Sequence, residues 1–318
     1  MPLIGFHASH EQIAPAQLLA DVQFAAQAGF DAAMCSDHFE PWSAVQGHSG
    51  FAWSWLGAAL ATTNLRFGVV TAPGQRYHPA IIAQASGTLA SMFPGRFWAA
   101  LGSGENLNEH ITGDSWPAKE IRQQRLEECI DIIRRMHDGE EVTHRGLVTA
   151  EQARLWDAPE VKPPLIAPAV SVETAARSAG WADGLVTVNQ PHEKLTEMIT
   201  AYRSNGGQGK LILQVHLSWA PTEDEALEVA RVQWGSNSLT PPTTWDLARP
   251  SDFEEATREV TEEQLRSTVQ ISADLAVHAQ RLREFADLGF DELYLHYVGT
   301  EQKPFIEAFA EHVLPEVR

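Results

Sequence analysis

Apolar residues along the chain fall into two alternating rhythms. Short apolar runs bounded by turn residues recur between longer segments whose apolar positions return every three or four residues. The first pattern is that of a buried strand, the second that of an amphipathic helix. Strands are predicted at 3–8, 32–35, 65–70, 96–101, 164–167, 184–187, 210–216 and 291–296. Helices are predicted at 15–28, from the mid-fifties to about 61, then at 79–92, 117–137, 172–180, 192–204, 222–234, 273–288 and 303–313. Pro15 and Pro79 stand at helix starts and Gly29 at a helix end, where backbone preferences put them.

Eight strands alternating with helices predict parallel βα units closed into a (β/α)8 TIM barrel, an α/β fold. A doubly wound open sheet is the competing arrangement. No repeat period or low-complexity tract breaks the rhythm, so the expectation is one domain over 1–318 with insertions at about 39–52, 140–160 and 236–262. The second insertion carries Thr143 to Val148 as a hairpin, and the third contains Pro241-Pro242 and Pro250.

Composition narrows the setting. With 44% hydrophobic and 20% charged residues the chain resembles an ordinary soluble protein with a sizeable core. No apolar run approaches the ~18 residues of a membrane span, and the N-terminus lacks a basic stretch followed by an apolar one, so a cytoplasmic protein is expected. A net charge of −19 argues against nucleic acid or an anionic membrane as partner. Cys35 and Cys129 lie in apolar segments and read as small buried hydrophobes.

In a barrel, chemistry gathers at the C-terminal strand ends. There the sequence places His7, Ser9 and Glu11, then Asp37-His38 with Trp42, then Thr71-Ala72-Pro73, then Gly102-Ser103-Gly104-Glu105-Asn106. An imidazole such as that of His38 suits proton transfer, and Trp42 offers a flat wall for a ring. The bland alternative is that His38 caps a strand and Trp42 packs under its loop. Glu105 follows a glycine-rich turn, where burial would raise its pKa; a helix-start carboxylate is the other option. Gly102-x-Gly104 is too short for a dinucleotide fingerprint. No His-x-His or His-Glu-x-x-His supports a metal hydrolase, no Gly-x-Ser-x-Gly supports a serine nucleophile, and no metal ligand is assigned.

Several motifs in one order carry a resemblance. Ser36-Asp37-His38-Phe39 with Pro41-Trp42, the Gly47-His48 to Ser54-Trp55 loop, Arg76-Tyr77 with Pro79-Ala80, and Gly102-x-Gly104-Glu105-x-Leu107-Asn108-Glu109 resemble the luciferase-like superfamily. Its glucose-6-phosphate dehydrogenase branch, which uses the deazaflavin coenzyme F-420, is the nearest characterised group. The resemblance implies a (β/α)8 barrel. It makes His38 the active-site base, Glu105 an acid that protonates the reduced ring, Trp42 a wall over the ring and Glu11 a second pocket carboxyl. Cofactor contacts are implied at Asp37, Val69, Val70, Ala72, Gly104, Asn108, Ser171 and Thr187, with a non-proline cis peptide bulge near Val69-Val70 behind the ring and a phosphate at Ser171.

The departures matter as much. Where that branch holds a sugar phosphate with two lysines and an arginine, this chain has Gln190, then Thr243-Thr244, then Ser267 with Arg266 one place off. Without those cations a phosphorylated sugar is not expected as substrate. A sibling group thought to use FMN shares the opening Ile4-Gly5-Phe6-His7-Ala8-Ser9-His10-Glu11 and the run Ala72 to Pro79. The sequence therefore favours an FMN-type flavin oxidoreductase of a small organic substrate, by hydride transfer or monooxygenation, with NAD(P)H as a candidate reductant. An F-420-dependent dehydrogenase of a non-phosphorylated alcohol is the alternative, and a flavin store or sensor the non-enzyme one. The resemblance also implies a homodimer.

Overall fold

The structure is a computed structural model and describes residues 1–239 and 242–318. Pro241, half of the proline pair in the third insertion, lies outside the described residues. The eight predicted strands are present as β1 (Leu3–Ala8), β2 (Ala32–Ser36), β3 (Arg66–Thr71), β4 (Phe97–Leu101), β5 (Leu165–Pro168), β6 (Gly184–Val188), β7 (Lys210–Ser218) and β8 (Glu292–Tyr297). All are parallel, each bonded to the next, and β8 pairs with β1 to close the barrel. The seam therefore lies between the first strand and the last. Its register runs from Leu3 opposite Glu292 to Phe6 opposite Leu295.

Strand alternation sorts side chains into two layers. Ile4, Phe6, Ala33, Cys35, Phe67, Val69, Ala99, Leu185 and Leu295 face the helices in one large core. Ala32, Met34, Trp98, Ala100, Ile166, Val186, Ile212 and Tyr294 fill the barrel axis. Large rings enter the axis only because glycines stand opposite. A Cβ on Gly68 would fall inside the Trp98 indole, and one on Gly5 inside the Tyr294 ring.

Helices Pro15–Ala28, Pro79–Met92 and His192–Ser204 have their predicted bounds. The first ends on Gly29 at φ 101°, a left-handed conformation that glycine adopts without steric cost. The second insertion holds an antiparallel hairpin, Val142–Arg145 with Thr149–Ala153. The third holds short helices at Thr243–Asp246 and Pro250–Ala256. After it come a helix, Glu262–Thr268, and a two-residue strand, Gln270–Ile271, that pairs in parallel with the end of β7; neither shows in the sequence pattern. A second apolar cluster, with Trp42, Leu107, Trp234, Phe253, Leu265 and Val298, ties this region to the loops at the barrel mouth. Among the described residues no helix is long and apolar enough to cross a membrane.

Candidate active site

β2 delivers Asp37 and His38 to the mouth, and the Asp37 amide still bonds the Val70 carbonyl at 2.9 Å, so the strand's path is held one residue beyond its end. The short helix Asn106–Glu109 then brings Asn108 under His38. The Asn108 amide oxygen accepts from the backbone N–H of Phe39 at 2.8 Å and of Glu40 at 3.3 Å. Those two donors fix the amide, leaving its NH2 group to face His38 Nδ1 at 3.2 Å and Glu105 Oε2 at 3.4 Å. A neutral imidazole that accepts at Nδ1 carries its proton on Nε2. His38 Nε2 lies 3.4 Å from Glu11 Oε1 and 3.8 Å from Glu105 Oε2. In this tautomer His38 is a donor toward the two carboxylates. In this arrangement one ring nitrogen faces the pocket and the other faces Asn108.

The two carboxylates differ in surroundings. Glu11 is buried, and the Ser9 hydroxyl donates to its Oε2 at 2.9 Å. Glu105 keeps 22% of its side chain exposed to the mouth. Desolvation nevertheless pushes its carboxyl above the usual range; Glu11 and Glu109 push the same way, while His38 and Arg76 pull against them. Trp42 completes the group with its ring 5.0 Å from that of His38 and edge-on to Phe253. Thus Glu11, His38, Trp42 and Glu105, drawn from three strand ends, stand together.

The eight expected cofactor positions do not all face the mouth. The Asp37 side chain is 0% exposed, and its carboxylate accepts from Thr71 Oγ1 at 2.9 Å, Trp53 Nε1 at 3.2 Å and Tyr77 at 3.3 Å. Arg76 donates to the Asp37 carbonyl at 2.8 Å and binds Glu109 on its other side. Asp37 is therefore a buried anchor of the wall, not an exposed ring contact. Asn108 is engaged as described. The Ser171 hydroxyl accepts from Thr174 N–H as cap of a helix of seven residues, Val172–Ser178, shorter than the 172–180 expected. Alternation puts Thr187, next to axial Val186, on the helix side, where Gln190 donates to its hydroxyl at 3.3 Å. Val69 likewise faces the helices, and β3 pairs with β2 and β4 without a register shift.

What remains is a wall of small residues. Val70 turns inward, and Ala72, Gly102, Ser103 and Gly104 top β3 and β4. A Cβ on Gly104 would lie 3.0 Å from Glu109, and the glycine's φ of 85° is disfavoured for other residues. The clamp of Arg76 between Asp37 and Glu109 escaped the sequence reading, although Arg76-Tyr77 stood out as a motif; spacing alone does not pair a cation with acids 39 and 33 positions away. A cleft of about 780 Å³ opens at the opposite barrel end, beside Arg66, Trp98 and Lys210. It is distant from the strand ends that carry these groups, and its cations Arg134 and Lys210 are paired with Asp183 and Glu292.

Comparison with known proteins agrees with this geometry. Residues 3–292 match the family model for luciferase-like monooxygenase. F-420-dependent glucose-6-phosphate dehydrogenases from Beutenbergia cavernae and Microbacterium testaceum are each 36% identical, with alignments covering 99% of this chain and 97% of theirs. A solved F-420-dependent secondary alcohol dehydrogenase, in complex with an F-420–acetone adduct, superposes with a TM-score of 0.92 at 27% identity over 100% of both chains. From its first strand to its last, this chain belongs to the luciferase-like monooxygenase family and is an oxidoreductase.

Proposed function

We propose that the protein is a coenzyme F-420-dependent dehydrogenase of a non-phosphorylated alcohol. The observation that carries this is the meeting of one imidazole N–H with two unlike carboxylates, beside a wall flat enough for a tricyclic ring. The sequence favoured FMN, but the relatives above 25% identity described here are named for F-420, and F-420 replaces FMN in this reading. Val70, Ala72 and Gly104 would hold the ring, and F-420 would supply the carbon that accepts hydride. His38 Nε2–H holds the substrate's hydroxyl oxygen. Glu11, steadied by Ser9, takes the hydroxyl proton as the carbon–hydrogen bond breaks. Glu105, with its raised pKa, keeps a proton at the ring's edge for delivery there. Trp42 covers the substrate and excludes water.

The charges at the mouth speak against a phosphorylated substrate. Gln190 is neutral and bonded to Thr187, and Arg266 is held by Glu223 at 2.9 Å and Glu262 at 2.8 Å. Titration with F-420 and FMN, followed by assays with 2-propanol, glucose and glucose 6-phosphate, tests the proposal. F-420 binding with turnover of a neutral alcohol is expected. Preferential binding of FMN, or glucose 6-phosphate as the best substrate, would sink it.

A further inference from the structure

Across three neighbouring strands the barrel axis is lined by a row of imidazoles that the chemistry above does not use. His296 of β8 stands in register with His216 of β7. The β1–β8 register that matches Phe6 with Leu295 brings His7 beside His296. Ring centroids are 4.2 Å apart for His7 and His296, and 5.2 Å for His296 and His216. Because Ile4, Phe6 and Ala8 face the helices, His7 points to the axis, and all three histidines are buried.

Two of the three rings are held by amides. Gln12 donates to the Val298 carbonyl, so its oxygen accepts from His296 Nε2 at 2.8 Å. Gln214 donates to His296 Nδ1 at 3.1 Å and to His216 Nε2 at 3.0 Å. His7 is different: among the described residues neither ring nitrogen has a protein partner, at 2% exposure. His10 shares that lack, but packs edge-on against Trp55 away from the row. The nitrogens of His296 and one of His216 turn onto amides, and among the described residues no three metal-binding groups converge.

An unpartnered buried imidazole forfeits the hydrogen bonds it would make in water and is poor as mere packing. A neutral imidazole offers one donor and one acceptor on opposite edges, which complements a hydroxyl. Burial keeps His7 in that neutral form. His38 is among the groups whose charge acts on His7; the carboxylates of Glu11 and Glu105 stand 3.4 and 3.8 Å from His38 Nε2, while Arg76 is folded between Asp37 and Glu109. An anion would meet repulsion here.

We propose that His7 binds a second oxygen of the substrate, one beyond the reacting carbon, and that the substrates are neutral diols or polyols. This deepens the reading under Proposed function and rests on it. The enzyme loaded with F-420 is assayed with 2-propanol, 1,2-propanediol, glucose and glucose 6-phosphate. The diol is expected to exceed 2-propanol in kcat/KM by about tenfold, the scale of one well-made hydrogen bond, chiefly through KM. Glucose 6-phosphate is expected to fall below glucose. His7→Phe keeps a ring and removes both nitrogens, and should abolish the KM advantage of the diol; His7→Gln, which restores a donor and an acceptor, should recover part of it. An advantage of the same size in His7→Phe would overturn the proposal. In parallel, 15N-histidine NMR follows the His7 ring during addition of 1,2-propanediol. A shift in the wild type without any F-420 turnover would overturn the cofactor reading and leave this one standing. No shift, or a stronger response to 1-amino-2-propanol, would overturn the neutral polyol.

Discussion

A single amide decides which nitrogen of His38 carries the proton. Asn108→Asp is nearly isosteric, keeps the acceptor for Phe39 and Glu40, and puts an acceptor opposite Nδ1. The His38 tautomer is expected to invert, read from its 15N shifts, and kcat to fall by at least tenfold; an unchanged tautomer would refute the assignment. Glu105 makes a second residue-scale case. Its folded pKa is raised, so the folded state prefers the protonated carboxyl, and stability is lost as pH climbs from the ordinary carboxylate range through that raised value. At neutral pH Glu105→Gln should therefore melt higher than the wild type while losing most turnover, measured by calorimetry and F-420 reduction. At this scale the sequence told which residues reach the strand ends. It does not tell which atoms find partners inside the protein: the side chains of Asp37, Asn108, Ser171 and Thr187 each bond a neighbour of their own. Competition for a hydrogen-bonding atom is set by residues far away in sequence.

Elements were legible in proportion to their own periodicity. Barrel strands buried on both faces read as unbroken apolar runs, and helices such as Pro79–Met92 carry start signals of their own. The third insertion and the stretch after it through Ile271 carry no such signal. The helices Thr243–Asp246, Pro250–Ala256 and Glu262–Thr268 are too short to be stable alone and depend on Phe253 and Leu265 packing with Trp42 and Trp234. The β3–β4 pair shows a constraint that pattern cannot reveal, because Gly68 looks like a weak point in a strand until Trp98 is seen against it. Gly68→Ala, a change of one methyl, should destabilise by about 1–3 kcal/mol or more through overpacking, checked by urea denaturation. A stability equal to wild type would mean the axis is loosely filled.

At the scale of the whole molecule, buried histidines set the acid limit. His10, His137 and His278 are lowered by burial to about 4 and His216 to about 3, and His7 and His296 are also driven well down. Their folded pKa values lie below the unfolded value near 6.5, so their contribution is complete above that pH. It is lost as pH falls through 6 toward 4, where the unfolded chain takes up protons the folded one refuses. Several such groups together should make the melting temperature fall steeply across this window, with several kcal/mol lost per pH unit. A flat profile between pH 6.5 and 4.5 would show that these rings gain protons without unfolding.

The closure of β1 on β8 also has a meaning in time. Strand β8 begins at Glu292, 289 residues after β1 begins at Leu3, and leaves the ribosome that much later. At 5–20 residues per second roughly 15–60 s separate them. For that interval one edge of β1 has no partner, and the nascent sheet presents an open row of amides and carbonyls. The barrel, and with it the row of imidazoles that spans the seam, is completed only once β8 has emerged, and until then that edge is open to pairing with another chain.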